Sequence, residues 1–314
     1  MGSAIQLGSP TARIFAIAGG RGTIAQSARA FGVWEMAAMQ HRWVRIPASL
    51  QARIEAESAK TGHGVDRIVA DALALYFETS LHTVFQVSTS GALVAGVYDR
   101  EVSVATLLEH GDFGLGTFTG LDGEMIVLDG AAYHADGHGH VTAAPIDAGA
   151  PFAIVARFTP ESFGTLPPVG SFAALEQACD AYRESANIFY AIRLDGHFAR
   201  VKARAIDPPP PGMRLAEAAK TQHEFTFEDI EGTLVGIWSP EFSGSFGVAG
   251  YHFHFLSKDR LKGGHLLDVE AAGLSLAVEP LSNFHLALPE TEAFLKAKIG
   301  SDTEAVLAKA ERSQ

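Results

Sequence analysis

Hydrophobic positions recur with helical spacing in the first patterned part of the chain. Six apolar residues follow one another at intervals of three and four along one helical face: Val65, Ile68, Val69, Ala72, Leu73 and Tyr76. A preceding helix is predicted over residues 49–60, ended by the glycine-containing segment 61–64. Residues 42–46 alternate as a short strand does. Strand, helix, glycine turn and helix together resemble a ribbon-helix-helix module, which dimerises through its strand and can place it in a DNA major groove.

From about residue 82 the pattern changes to short strands separated by turns. Strands are predicted at residues 83–87, 93–96, 125–128, 131–134, 141–144, 189–194, 198–205, 232–238, 250–255, 266–269, 274–278 and 284–288. Asp-Gly pairs at 129–130, 136–137 and 195–196 predict hairpin turns. Helices are predicted at 102–109, at 171–184 and from about 290. The pattern indicates an α+β fold with mixed or antiparallel sheets, in two halves joined by the rigid proline loop 208–212.

Three regions follow from these patterns. Residues 1–40 lack periodicity and are interpreted as disordered, or as the result of a start codon assigned too far upstream. Residues 41–80 form the ribbon-helix-helix-like module. It has five basic and five acidic residues, so a helical hairpin used for dimerisation or packing is at least as good an interpretation as DNA binding. Residues 81–314 are long enough for a catalytic domain with its own core.

Composition narrows the classes of function. The chain of 314 residues has a net charge of −12, which disfavours nucleic acid and anionic membranes as partners of the whole molecule. No apolar run reaches the length of about 18 residues that a membrane helix needs. The single cysteine, Cys179, excludes disulfides within the chain and a thiolate metal site, and we expect a cytoplasmic protein.

The strongest chemical signal is a set of three histidines. His252 and His254 are two residues apart in a predicted strand, so their side chains share one face. Residues 257–264 are polar and end in glycines, which predicts a hairpin turn that returns His265 to the same place. Three imidazoles without a fourth protein ligand are typical of a catalytic zinc site, although iron, copper and nickel also accept imidazole. A second histidine cluster, residues 134–140, lies on a predicted Asp-Gly turn and is interpreted as exposed.

Five short sequence motifs occur in a characteristic order between residues 114 and 265. These are Gly-Leu-Gly-Thr at 114–117, Leu-Asp-Gly-Glu-Met-Ile at 121–126, Val-Lys-Ala-Arg at 201–204, Gly-Tyr-His-Phe-His-Phe at 250–255 and Gly-Gly-His at 263–265. Over about residues 82–314 the chain resembles the α-acetolactate decarboxylases. The resemblance implies a homodimeric enzyme of acetoin and butanediol biosynthesis that binds Zn²⁺. Its small-molecule substrate is a 2-hydroxy-3-keto acid, (S)-2-acetolactate, which it converts to (R)-acetoin and CO₂.

The same resemblance implies the site residues. The zinc ligands fall on His252, His254 and His265, and the active-site acid and arginine fall on Glu124 and Arg204. Thr117 corresponds to a substrate-binding position, and spacing alone places a further catalytic acid at Glu311. After Arg204 this chain departs from the family pattern and continues into its proline run. Either glutamate suits the protonation of an enediolate on one face, and the sequence does not choose between them.

Two other classes of function remain open at this point. A cupin-like metal enzyme also begins its ligand set with two histidines on a strand, but the glutamate that should follow is missing in residues 255–259. A metabolite-sensing DNA-binding regulator would use residues 41–80 to bind DNA, and Arg42 and Arg45 provide only a weak basic ribbon.

Overall fold

The computed structural model describes residues 45–77, 80–210 and 212–300, and the chain separates into two compact units, residues 1–79 and 80–314. The predictions for residues 1–40 and for Glu311 lie outside the described residues. Among the described residues, each helix is too short or too polar to cross a membrane.

The first unit contains the two helices that its apolar pattern predicts. Helix α1 spans Ala48–Thr61 and helix α2 spans Val65–Tyr76. Gly62 ends α1 in the left-handed conformation (φ 76°) and its N–H donates to the Ser58 carbonyl, because glycine adopts this backbone without a steric penalty. Most of the strand predicted at 42–46 lies outside the described residues, and residues 45–47 have no regular structure. The ribbon-helix-helix module therefore stays a prediction.

The second unit is built mainly from strands. In chain order they are β1 Thr83–Val87, β2 Val102–Ser103, β3 Phe113–Thr117, β4 Glu124–Leu128, β5 Ala131–Ala135, β6 Val141–Ala143, β7 Gly149–Ala150, β8 Phe152–Ala156, β9 Ser162–Leu166, β10 Phe189–Ala205, β11 His223–Ser239, β12 Gly250–Ser257, β13 Gly263–Leu281 and β14 Asn283–Ala287. The helices are α3 Ser90–Val94, α4 Val104–His110, α5 Phe172–Asp180, α6 Leu215–Ala218 and α7 Glu292–Lys296, with 3₁₀ turns at Ala219–Thr221 and Glu241–Ser245.

These strands form two larger sheets. The first has seven strands in the order β14-β1-β8-β3-β4-β5-β6, and only the β1–β14 pair is parallel. The second has the order β10-β11-β12-β13-β9, and β10 also pairs with β13, so four of its strands close into a ring. Strands β2 and β7 form a separate small pair. The predicted α+β class with mixed and antiparallel sheets is confirmed.

A shared hydrophobic core holds the two larger sheets against each other. Its buried side chains come from both sheets, for example Ile126 of β4, Ile154 of β8, Val235 of β11 and Leu256 of β12. Removing such apolar surface from water stabilises the fold by roughly 25 cal/mol per Å². The packing brings β4 next to β11, β12 and β13.

One predicted strand is a helix instead. Residues 93–96 do not form a strand, because Ser90–Val94 is the short helix α3. The Thr89 side chain caps this helix by accepting a hydrogen bond of 3.2 Å from the backbone N–H of Ala92. A short apolar run fits a buried helix as well as a strand, so periodicity alone could not decide.

The predicted hairpin at residues 195–196 is also wrong. Strand β10 runs straight through, and Gly196 pairs with Gly232 on one side and Leu274 on the other. The Asp195 carboxylate accepts hydrogen bonds from Arg193 and from Thr233 across the sheet, so it acts within the strand. Residues 266–269 and 274–278 are likewise parts of the single strand β13. The loop that begins after β10 connects two strands of one sheet, so it does not separate two halves.

Candidate active site

The three predicted histidines lie side by side on neighbouring strands. His252 and His254 are on one face of β12, and His254 is directly opposite His265 of β13. On its other side, His265 is directly opposite Arg204 of β10. Residues opposite each other in antiparallel strands have neighbouring side chains. The predicted turn between β12 and β13 is confirmed, and the sheet places a row of three functional side chains across three strands.

The spacing of the imidazoles fits a shared metal ion. His252 Nε2 is 3.0 Å from His265 Nδ1, and one nitrogen from each ring lies within 4.8 Å of the others. Two nitrogens bound tetrahedrally at zinc would be about 3.3 Å apart, given Zn–N bonds of about 2.0–2.1 Å. The three histidines can therefore bind a metal.

Interactions with other residues prepare two of the rings to bind a metal. His254 Nδ1 lies 2.8 Å from the Met125 carbonyl, which can only accept, so Nδ1 donates and Nε2 of the neutral ring carries the lone pair. Burial, and then the positive charge of Arg204, lower the pKa of His252 to about 3. A neutral imidazole is the form that binds metals.

Glu124 reaches the histidines from the other sheet. Its Oε2 is 3.5 Å from His254 Nε2, and its Oε1 is 3.5 Å from Arg204 Nη1. Glu124 and Arg204 are both buried, at 8% and 4% exposure. Charges interact more strongly when water is excluded, so a carboxylate and a guanidinium at this distance influence each other strongly.

A tight turn sets the position of Glu124. Gly123 precedes it with φ 68°, and a Cβ atom there would lie 2.1 Å from the Ala135 carbonyl oxygen. The Gly123 N–H donates to the Ile206 carbonyl at 2.9 Å, and its own carbonyl accepts from Thr117 Oγ1 at 2.7 Å. The turn is therefore bonded to the segment just after Arg204, and Thr117 holds the backbone beside Glu124.

These side chains line a cleft of about 590 Å³, including the part open to solvent. Apolar residues from six separate helices, strands and loops form much of its wall: Leu93, Leu121, Phe152, Ile206, Leu215 and Val248. Sequence reasoning did not find this wall, because its residues share no motif and Leu93 was assigned to a strand. Thr117, Glu124, Arg204, His252 and His265 also line the cleft, whereas Glu311 lies beyond the described residues.

The second histidine cluster does not belong to this triad. His138 and His140 are exposed in the turn between β5 and β6, as predicted. The prediction is wrong for His134, which lies in β5 with its side chain only 25% exposed. Its Nε2 is 3.5 Å from Asp122 Oδ1, in the turn that precedes Glu124.

A cleft lined by a buried guanidinium, a buried carboxylate and two histidines of a triad that can hold a metal ion is typical of an enzyme site. A family model described as alpha-acetolactate decarboxylase matches residues 84–301. The chain belongs to this family and is an enzyme.

Individual relatives agree with that assignment. The alpha-acetolactate decarboxylase of Methanosarcina mazei is 39% identical over 229 residues, covering 73% of this chain and 80% of that protein. The enzyme of the same name from Bacillus licheniformis is 37% identical over 221 residues, covering 70% and 87%. The crystal structure of alpha-acetolactate decarboxylase from Bacillus subtilis strain 168 superposes with a TM-score of 0.71 at 33% identity, covering 74% of this chain and all of that one. Residues 1–83 lie outside the family match.

Proposed function

We propose that this protein is a zinc-dependent enzyme that converts (S)-2-acetolactate to (R)-acetoin and CO₂. The observation that supports it most is that two histidines of the triad line one cleft with Glu124 and Arg204, and that the third, His254, lies 3.5 Å from Glu124. Breaking the bond to the carboxylate releases CO₂ and leaves the bonding electrons on the remaining fragment as an enediolate. One proton then added to carbon gives acetoin.

His252, His254 and His265 would hold the zinc. Their rings are neutral ligands, so the ion would keep its full positive charge. When bound, zinc supplies Lewis acidity toward oxygen atoms on which negative charge develops. The Met125 carbonyl keeps His254 in the required tautomer and orientation.

Arg204 would bind and orient the substrate. Its guanidinium is always protonated and offers a planar set of donors that suits a carboxylate or an enediolate oxygen. It lies beside His265 in the sheet, which places its charge next to the metal ligands. Thr117 would contribute by fixing the backbone at Gly123, and it also lines the cleft.

Glu124 is the proposed proton donor to the enediolate. It is buried, it lies within 3.5 Å of both His254 and Arg204, and it enters from one side of the cleft. An acid held on one side delivers its proton to one face, which accounts for a single enantiomer of the product. Glu311 stays a prediction.

The test measures acetoin release from racemic 2-acetolactate by the protein as isolated, after chelation, and with zinc restored. Activity should disappear on chelation and return with zinc, and His254→Ala should be inactive in all three states. His197→Ala is the matched control, because His197 is an exposed histidine paired with Asp229 at 2.8 Å. A zinc-loaded protein that releases no acetoin would overturn the proposal.

Homodimerisation and cytoplasmic localisation remain predictions, as does nucleic-acid binding by residues 41–80. The family match favours the decarboxylase over the cupin-like alternative.

A further inference from the structure

Two histidines and an aspartate, side chains of the types that bind metals, lie close together on the surface of the catalytic unit. His138 comes from the turn between β5 and β6, His223 begins β11, and Asp207 lies in the loop after β10. The His138 and His223 rings have their centroids 5.2 Å apart, and His223 Nε2 is 3.1 Å from Asp207 Oδ2. The three residues are far apart in sequence, so only the fold brings them together.

The histidine triad provides an internal standard for these distances. Its ring centroids are 4.8, 5.0 and 5.4 Å apart, and its shortest contact between nitrogens is 3.0 Å. In the surface group, the distance of 5.2 Å between the His138 and His223 rings falls within this range, and the contact of 3.1 Å from His223 Nε2 to Asp207 Oδ2 is similarly short. Its donors differ in being two imidazoles and one carboxylate, a set that suits divalent zinc, nickel or copper.

The backbone around His138 is held in place against Asp207. A Cβ atom on Gly137 would lie 1.9 Å from Asp207 Oδ1. The turn therefore lies so close to this carboxylate that only glycine fits at position 137. The Asp136 carboxylate accepts hydrogen bonds from the N–H groups of His138 (2.8 Å) and His140 (3.0 Å). These hydrogen bonds hold His138 close to Asp207.

The donors are also open to solvent. The side chains of His223 and Asp207 are about half exposed, at 49% and 51%, and His138 is exposed. An ion from solution can reach them, water can complete its coordination, and the exposed His138 ring can turn toward it.

We propose that His138, His223 and Asp207 form a second, surface site for a divalent transition-metal ion, separate from the cleft. The bound ion would link the β5–β6 turn of the seven-stranded sheet to the loop that follows Ile206, a residue of the cleft wall. Binding of the ion would therefore stiffen that turn, and it would add one metal ion to each protein chain.

The experiment measures zinc bound per chain by equilibrium dialysis of the chelated, full-length protein. The wild-type protein should bind two ions. His138→Ala/His223→Ala should bind one, retained by the triad, and His252→Ala/His254→Ala should bind one, retained at the surface. His197→Ala should still bind two, because it removes an exposed histidine–aspartate pair elsewhere. Circular dichroism checks that each variant is folded.

Three results would overturn the proposal: one ion per wild-type chain, two ions in His138→Ala/His223→Ala, or an equal loss in His197→Ala. Hydrogen exchange gives an independent readout. Zinc should slow amide exchange at residues 136–140 in His252→Ala/His254→Ala, where only the surface site remains. Unchanged exchange there would contradict the proposed link. Neither measurement depends on acetoin release.

Discussion

At the scale of single residues, Glu124 lies between the two groups of the opposite sheet that matter most to the proposed chemistry. The residue is buried and lies 3.5 Å from Arg204 and from His254, which belong to the opposite sheet. A buried carboxylate this close to a guanidinium and an imidazole interacts with both more strongly than it would in water.

Replacing Glu124 by Gln should lower kcat by about 10²- to 10⁴-fold, the usual range for removing a general acid, with the fold intact because the amide has the same shape. Steady-state kinetics of acetoin release would measure the change. Glu231→Gln is the matched control, since Glu231 pairs with Lys258 at 2.7 Å on the surface. A Glu124→Gln enzyme with wild-type kcat would show that another residue, for example Glu311, donates the proton.

The folded-state pKa of His252 predicts how stability depends on pH. Burial and Arg204 lower it to about 3, whereas an unfolded histidine titrates near about 6.5. The unfolded chain therefore binds the extra proton first as pH falls. The stabilising contribution of neutral His252 is fully present above about pH 6.5 and is lost as pH falls toward 3.

In chelated protein, the free energy of unfolding should fall between pH 7 and pH 5, with His252 contributing a slope of at most about 1.4 kcal/mol per pH unit. Denaturant titrations of wild type and His252→Asn would measure it. The variant should show the shallower dependence. Equal slopes in the two proteins would show that the folded structure does not keep His252 neutral.

At the scale of secondary-structure elements, the turn before β4 differs from the turn after it. Gly123 and Gly130 both have left-handed backbones, with φ 68° and 78°. A Cβ on Gly130 would have no neighbour within 4 Å, whereas one on Gly123 would meet the Ala135 carbonyl oxygen at 2.1 Å. A side chain would strain the left-handed backbone at both positions, but there is room for it only at Gly130.

Gly130→Ala should destabilise the protein by about 1–2 kcal/mol, the cost of a left-handed alanine, with little effect on activity. Gly123→Ala should cost more, because the turn must also shift, and the shift should displace Glu124 and lower kcat. Denaturant unfolding and acetoin kinetics on both variants would separate the two effects. Equal loss of stability and activity in the pair would contradict a specific role for Gly123.

At the scale of the whole molecule, the catalytic unit is defined separately from the helices before it. The family match covers residues 84–301, and the second compact unit begins at residue 80. In the first unit, helix α2 exposes apolar side chains, including Leu73 and Tyr76 at 52% and 78%. Exposed apolar faces commonly mark sites of protein association.

A protein truncated to residues 80–314 should keep the kcat/KM of the full chain, because every described residue proposed for the site belongs to that unit. Acetoin kinetics would test this, with sedimentation measurements on both proteins to show whether residues 1–79 carry the predicted dimerisation. A truncated enzyme that is folded by circular dichroism but inactive would show that the first unit takes part in catalysis.

The sequence alone determined the features that depend on local geometry. Side chains alternate along a strand, so two histidines two residues apart, His252 and His254, share a face. The polar turn before His265 predicted that the chain returns beside them. Helical spacing predicted α1 and α2, and glycine marked the end of α1. The order of the short motifs also identified the family.

Only the tertiary structure decided the features that depend on long-range pairing. Whether Asp195-Gly196 turns or continues is set by strands β11 and β13, which satisfy the backbone hydrogen bonds on both sides. The contact of Glu124 with Arg204 joins residues 80 positions apart, and the apolar wall of the cleft joins residues as distant in sequence as Leu93 and Val248. Such contacts come from the packing of one sheet on the other, which no local pattern encodes.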